Sequence, residues 1–280
     1  MNQLFDLLAE AKVYDLAQPN FTGMPHYPTH PPFLFSLVKQ HGDYVGPAGN
    51  SSAAEAIALG GHVGTHIAAL GHFSCGGKLH GGQEAAPVQS YAGGLQKLSV
   101  DTIAPILRRG VLLDIAGATM LPEDFEITPA HLDSAAKNVE IRPGDIVLLR
   151  TGWATYWSDP RKFISEVRGP GPGLAGARWL SGHGIFAAGS DTVAFEKVPD
   201  ASMPVHVHLL VENGIHIIEC LNLEDLATAR VYEFLFVAAP LKIRGGTGSP
   251  IRPIAVEGRL GLRRKKPENV PSVPGFCCAW

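Results

Sequence analysis

Four histidines fall in the nineteen residues from His62 to His80, at positions 62, 66, 72 and 80. Near neutral pH, imidazole is both a common transition-metal ligand and a ready proton carrier, so a cluster of this density predicts a metal. Gly60, Gly61, Gly64 and Gly71 argue against a continuous helix through the cluster. His62 and His66 are therefore expected to meet across a tight turn. The preceding segment, 52–59, reads as a strand, so the turn would start from a rigid base that can hold ligand geometry.

His62, Gly64, Thr65, His66 and His72 match the pattern H-x-G-T-H-x-D-x-x-x-H. On these residues the chain resembles the cyclase-like metal hydrolases, a family that includes bacterial kynurenine formamidases and isatin hydrolases. One position departs: where the family has a metal-binding aspartate, this chain has Ala68, and a methyl group cannot ligate an ion. A second matching stretch is Pro204-Val205-His206, followed by Leu209-Leu210 and then by Glu219. It reads as a helix carrying His206, stopped at Gly214, then a strand delivering Glu219. The resemblance implies His62, His66, His206 and Glu219 as metal ligands, with His72 either a ligand of a second ion or the proton carrier.

Taken in order, residues 2–12 form an expected amphipathic helix and Val13–Leu16 a strand. Residues 17–32 carry Pro19, Pro25, Pro28, Pro31 and Pro32, a stiff loop holding His26, Tyr27 and His30. The resemblance implies a substrate-side role for this loop, His26 and Tyr27 included; a clamp between N-terminal arm and core is the structural alternative. Strands are expected at 33–40, 111–115, 144–153, 185–191, 231–239 and 251–256, and a helix from Thr128 to Lys137 with threonine as N-cap. Arg150 and Trp153, at the polar exit of one strand, are candidate substrate contacts, with a structural ion pair the alternative for Arg150. Helical material at 161–182 is interrupted by Gly169-Pro170-Gly171-Pro172-Gly173. Apolar strands with polar exits describe a sheet whose loops gather at one edge.

The 280 residues, 45% hydrophobic and 18% charged, read as a single domain, 1–280, with the proline-rich loop and a C-terminal arm at 259–280. Mixed α and β is what the residues themselves give. The resemblance adds an α/β fold with a central, mainly antiparallel sheet or barrel flanked by helices, assembled as a homodimer or homotetramer. A formal net charge of −3, and no basic run interleaved with aromatics, make nucleic acid a poor partner. No apolar run reaches the length of a membrane span and no secretory leader is evident at Met1, so a cytoplasmic protein is expected. Cys75, Cys220, Cys277 and Cys278 form no regular framework and are expected to be thiols, Cys75 as a small buried one, with a soft ligand near the histidine cluster the alternative.

A divalent ion held by imidazoles and a carboxylate, zinc or manganese, lowers the pKa of bound water from near 16 towards about 7 and makes hydroxide available. The expected reaction is hydrolysis of a small-molecule amide, cyclic amide or imide, or lactone. His72, His206 and Glu219 are the catalytic candidates. No G-x-S-x-G elbow supports an acyl-enzyme route. Ala68 leaves three readings open: an engineered substitution that disables turnover, a natural variant with altered ion or chemistry, or a binding protein that kept the pocket and lost catalysis.

Overall fold

The computed structural model describes Phe5 and residues 9–258. Most of the expected N-terminal helix, the C-terminal arm, Cys277 and Cys278 lie outside the described residues. Among the described residues, eleven strands of three or more residues organise the fold: β1 (Lys12–Asp15), β2 (Leu34–Lys39), β3 (Ala54–Ala58), β4 (His66–Ala68), β5 (Ile106–Asp114), β6 (Ile146–Arg150), β7 (Ala187–Ser190), β8 (His216–Glu219), β9 (Glu233–Ala238), β10 (Gly248–Pro250) and β11 (Ile254–Glu257). Nine of them make one sheet in the order β1-β11-β9-β5-β6-β7-β8-β4-β10. The centre, β5 to β8, is parallel, and antiparallel strands extend both flanks. The parallel strands are joined through helices, as parallel pairs require.

Alternation in the central strands separates two apolar layers. Val111, Leu113, Val147, Leu149 and Ile217 pack on one face with helical residues Leu132, Ala177, Leu180, Val205 and Leu209. Leu112, Ile146, Leu148 and Ile218 face the opposite layer with Leu226, Phe234 and Phe236. A period of two in strands buried on both faces gives this division. The helices are α1 (Pro129–Ala135), α2 (Pro160–Ile164), α3 (Leu174–Gly182), α4 (Pro204–His206) and α5 (Glu224–Ala229). Thr128 caps α1 with Pro129 in its first turn, as its sequence predicts. Glycine-proline punctuation separates α2 from α3, so the interruption at 169–173 is real.

Strands β2 and β3 stand apart from the main sheet as a hairpin, with Leu34, Phe35, Leu37, Val38 and Ile57 exposed. A third apolar cluster joins the proline-rich loop to the sheet edge: Met24 and Phe33 from the loop, Val63 from the histidine turn, and Trp153, Trp157, Phe163 and Cys220. This cluster fixes the loop over the ends of the parallel strands, the edge where open α/β sheets commonly place their ligands. Cys75, expected buried, is exposed on the turn it makes with Lys78; its small size did not carry it into the core.

Candidate active site

The histidine turn is shaped by Gly64, whose φ of +68° favours glycine and whose side-chain position is filled by Asn20 and Met24. Chain reversal there brings the rings of His62 and His66 to 5.1 Å, edge to face. Thr65 is buried between them, accepting the Gln18 N–H at 2.8 Å and donating to the Cys220 carbonyl at 2.6 Å. That second bond ties the turn to β8, because Cys220 directly follows Glu219. Register does the rest: His66 pairs with Glu219 and Ala68 with Ile217 across the antiparallel β4–β8 ladder.

Four of the five sequence candidates for metal binding surround one carboxylate. His66 Nε2 lies 3.1 Å from Glu219 Oε2, and His206 Nε2 lies 3.5 Å from Glu219 Oε1. His72 stacks on His62 at 3.8 Å between ring centres and stands 6.4 Å from the His206 ring. His62 Nε2 and the Thr247 hydroxyl are hydrogen-bonded at 2.9 Å. The fourth imidazole of the 62–80 cluster, His80, is elsewhere: its Nδ1–H donates to the Val211 carbonyl and pins the loop to the end of the His206 helix.

His206 is aimed by a residue that the sequence did not single out. Buried Glu196 accepts the backbone N–H groups of Val205 and His206 at 3.0 and 3.1 Å and the His206 Nδ1–H at 2.5 Å. It thus satisfies the start of α4 and sets the ring's tautomer in one arrangement. Beyond His206 the helix widens into a π-helix over Val207–Glu212, a rare form that is frequent near functional sites, and it ends before Gly214 as expected.

Partners assign the protons. His66 Nδ1 faces the Gly64 carbonyl at 2.9 Å and must donate to it. His206 Nδ1 donates to Glu196, so both rings turn Nε2 towards an acceptor-only carboxylate. A proton or a cation is required between each such pair. Burial opposes charge on His206, but hydrogen bonds to Glu196 and Glu219 outweigh it and raise its pKa to about 9. Burial alone would raise the Glu219 carboxyl; hydrogen bonds from His206 and His66 instead hold it well below the usual range. His72 is pushed down to about 3 by burial and by the facing His206, and His62 well below its ordinary value by burial and by His72. Both are neutral at pH 7, the form that ligates metals.

Two imidazoles and a carboxylate fit a divalent ion in kind and in tautomer. They are not closed around one point: among the described residues, no three His, Cys, Asp or Glu side chains are grouped so as to hold an ion. Position 68, where the resemblance implies a carboxylate, brings a buried methyl on the same face of β4 as His66.

The remaining candidates are placed as follows. His26 bonds the Tyr27 carbonyl through Nδ1, while Tyr27 packs 5.5 Å from His30. His30, from the same loop, reaches the cluster, 5.3 Å from the His62 ring. Arg150 is engaged by Asp114 at 2.8 Å, Glu224 at 2.7 Å and the Gly117 carbonyl at 3.0 Å. Trp153 is buried, with its indole N–H on the Phe163 carbonyl. Thr247, besides bonding His62, lines a cavity of about 590 Å³ with Ala86, Gln89, Tyr91 and Leu95, a volume that suits small organic ligands.

Residues 14–197 match the Cyclase family model. The chain belongs to the cyclase family. It is similar to isatin hydrolase of Roseibium aggregatum, 29% identical over 71% of this chain and 73% of that protein. A kynurenine formamidase of Bacillus cereus is 24% identical over 86% of this chain and 95% of its own length. A solved structure described as a novel cyclase superimposes with a TM-score of 0.82 at 30% identity, covering 92% of this chain and 90% of that one. The curled nine-strand sheet is thus the cyclase-family fold, and named relatives are hydrolases. Among the described residues, no helix is long and apolar enough to cross a membrane.

Proposed function

We propose that this cyclase-family protein is a metal-dependent hydrolase of amide, cyclic amide or imide, or lactone bonds, with metal affinity weakened by Ala68. The observation that carries the reading is the convergence of His66 and His206, from distant parts of the chain, on the two oxygens of Glu219. His66, His206 and Glu219 would hold the ion, with His62 beside them; a zinc or manganese ion bound there supplies a Lewis acid and lowers the pKa of water.

The chain's own groups have separable tasks. Glu196 holds the His206 ring, and Gly64 and Thr65 hold the His66 ring. His72, the proton-carrier candidate, would pass a proton from the attacking water to the departing nitrogen or oxygen. The C–N or C–O bond breaks as the proton arrives, leaving a carboxylic acid and an amine, an amide (from an imide) or an alcohol. The cavity beside Thr247 receives the small-molecule substrate, with His26 and Tyr27 of the proline-rich loop as further candidates; Arg150, held by Asp114 and Glu224, and Trp153, buried with its N–H on Phe163, have structural roles instead.

Hydrolysis of a panel of cyclic imides, formamides and lactones, with added zinc or manganese and with chelator, tests this directly. Metal-stimulated turnover of a panel member is expected; turnover unaffected by chelator contradicts it. A second reading, a small-molecule binder without catalysis, is favoured by Ala68 itself and predicts binding without turnover even in Ala68→Asp. The exposed apolar side chains of the β2–β3 hairpin support assembly as a homodimer or homotetramer.

A further inference from the structure

Among the described residues, one buried side-chain nitrogen or oxygen has no hydrogen-bond partner: Nδ1 of His30. Buried polar atoms in native proteins are overwhelmingly satisfied, by protein, by water or by a ligand, so an orphan at a site is a sign of something that binds there. Its ring stands 5.3 Å from His62, 6.3 Å from His72 and 5.5 Å from Tyr27. No protein group meets hydrogen-bond geometry with this nitrogen, although three rings of the candidate site and the His62 backbone lie close to the His30 ring.

The residue is held firmly. Its backbone N–H donates to the Tyr27 carbonyl at 2.9 Å, and Pro28 and Pro31-Pro32 restrict the chain on both sides. Met24 and Phe33, before and after it, are buried in the cluster that contains Val63 of the histidine turn. Little conformational freedom remains to be lost when a ligand docks against it.

We propose that His30 is a substrate-contacting residue of this site, its Nδ1 forming a hydrogen bond to a polar group of a small carbonyl compound seated beside His62 and His72. The inference rests on the proposed function for its ligand class and singles out, within the proline-rich loop, the residue whose ring reaches His62. A purely structural His30 would need only its ring, which phenylalanine keeps. Asparagine places a hydrogen-bonding atom close to the position of Nδ1 and gives up the ring.

The test is calorimetric binding of isatin, phthalimide, N-formylanthranilate and γ-butyrolactone to the full chain and to its His30→Phe and His30→Asn variants, with thermal melts and turnover measured beside it. Expected is wild-type binding of at least one compound, weakened tenfold or more in His30→Phe and within about threefold in His30→Asn, with the melting temperature of His30→Phe unchanged. Equal affinity in His30→Phe overturns the inference, as does equal loss in both variants, a lower melting temperature in His30→Phe, or no wild-type binding to any compound. Binding that follows the expected pattern without any turnover contradicts the hydrolase reading alone. Turnover with an indifferent His30 contradicts this inference alone.

Discussion

Ala68 and Ile217 are paired across β4 and β8, and the adjacent pair on the same face is His66 with Glu219. Position 68 therefore looks towards the carboxylate site while its methyl packs in an apolar layer, 3% exposed. An aspartate there would put a second buried acid near Glu219. Without a cation, Ala68→Asp should destabilise the protein by roughly 3–5 kcal/mol, the range for an uncompensated buried charge. Adding zinc or manganese should return most of that loss, while the wild type gains less. Thermal melts of both proteins, with chelator and with each ion, check this; a variant indifferent to the ions contradicts it.

Glu196 should matter nearly as much as the groups it supports. Glu196→Ala leaves two backbone N–H groups and the His206 ring without their acceptor. A loss of about 3 kcal/mol in stability is expected for breaking such a buried pair. Glu196→Gln keeps the shape and should fold, with turnover about 10–100-fold lower, as for other supports of ligating histidines. Urea unfolding and steady-state rates separate the two effects.

Gly248 packs against the His62 ring, and a side-chain carbon there would lie 2.5 Å from it. Gly248→Ala should displace that ring while leaving the sheet intact, because the strand pairing of β10 with β4 uses backbone groups. The expected result is a native circular dichroism spectrum with at least tenfold weaker activity. Activity equal to wild type would place His62 outside the working site.

Asp191 sets a pH dependence away from the histidines. Its carboxyl is buried and raised to about 6 from 3.8, with desolvation outweighing the hydrogen bonds from Thr151. A raised carboxyl favours the protonated folded state, so this contribution to stability is fully present below pH 3.8 and is lost as pH rises through 6. The span corresponds to on the order of 3 kcal/mol. Denaturant titrations between pH 3.5 and 7 should show this fall in the wild type and a flatter profile in Asp191→Asn.

The tight turn at the histidines was legible from its glycines, but the choice of His62, His66, His206 and Glu219 as a ligand set came from the resemblance to the cyclase-like hydrolases; the residues alone gave a helix stopped at Gly214 and a strand after it. The parallel centre of the sheet was not: Val111–Leu113 and Ile146–Leu149 are apolar throughout, and such runs carry no record of their neighbours. Glu196 sits in Phe195-Glu196-Lys197, which has no periodicity to mark it, and it becomes important only because α4 begins against it. Thr247 and His30 likewise acquire their places through contacts over 185 and about 30 residues of chain, at distances that local patterns do not encode. The sequence also left Arg150 between two roles, and its partners Asp114 and Glu224 lie too far along the chain to be matched by spacing.

The most direct test is paired elemental analysis and hydrolysis assay of the wild type and Ala68→Asp, each purified with and without supplied zinc or manganese. If His66, His206 and Glu219 form a metal centre short of one acid, the variant will bind more of the ion and turn over imides, formamides or lactones at least tenfold faster. Equal metal content and equal rates in the two proteins would contradict the account.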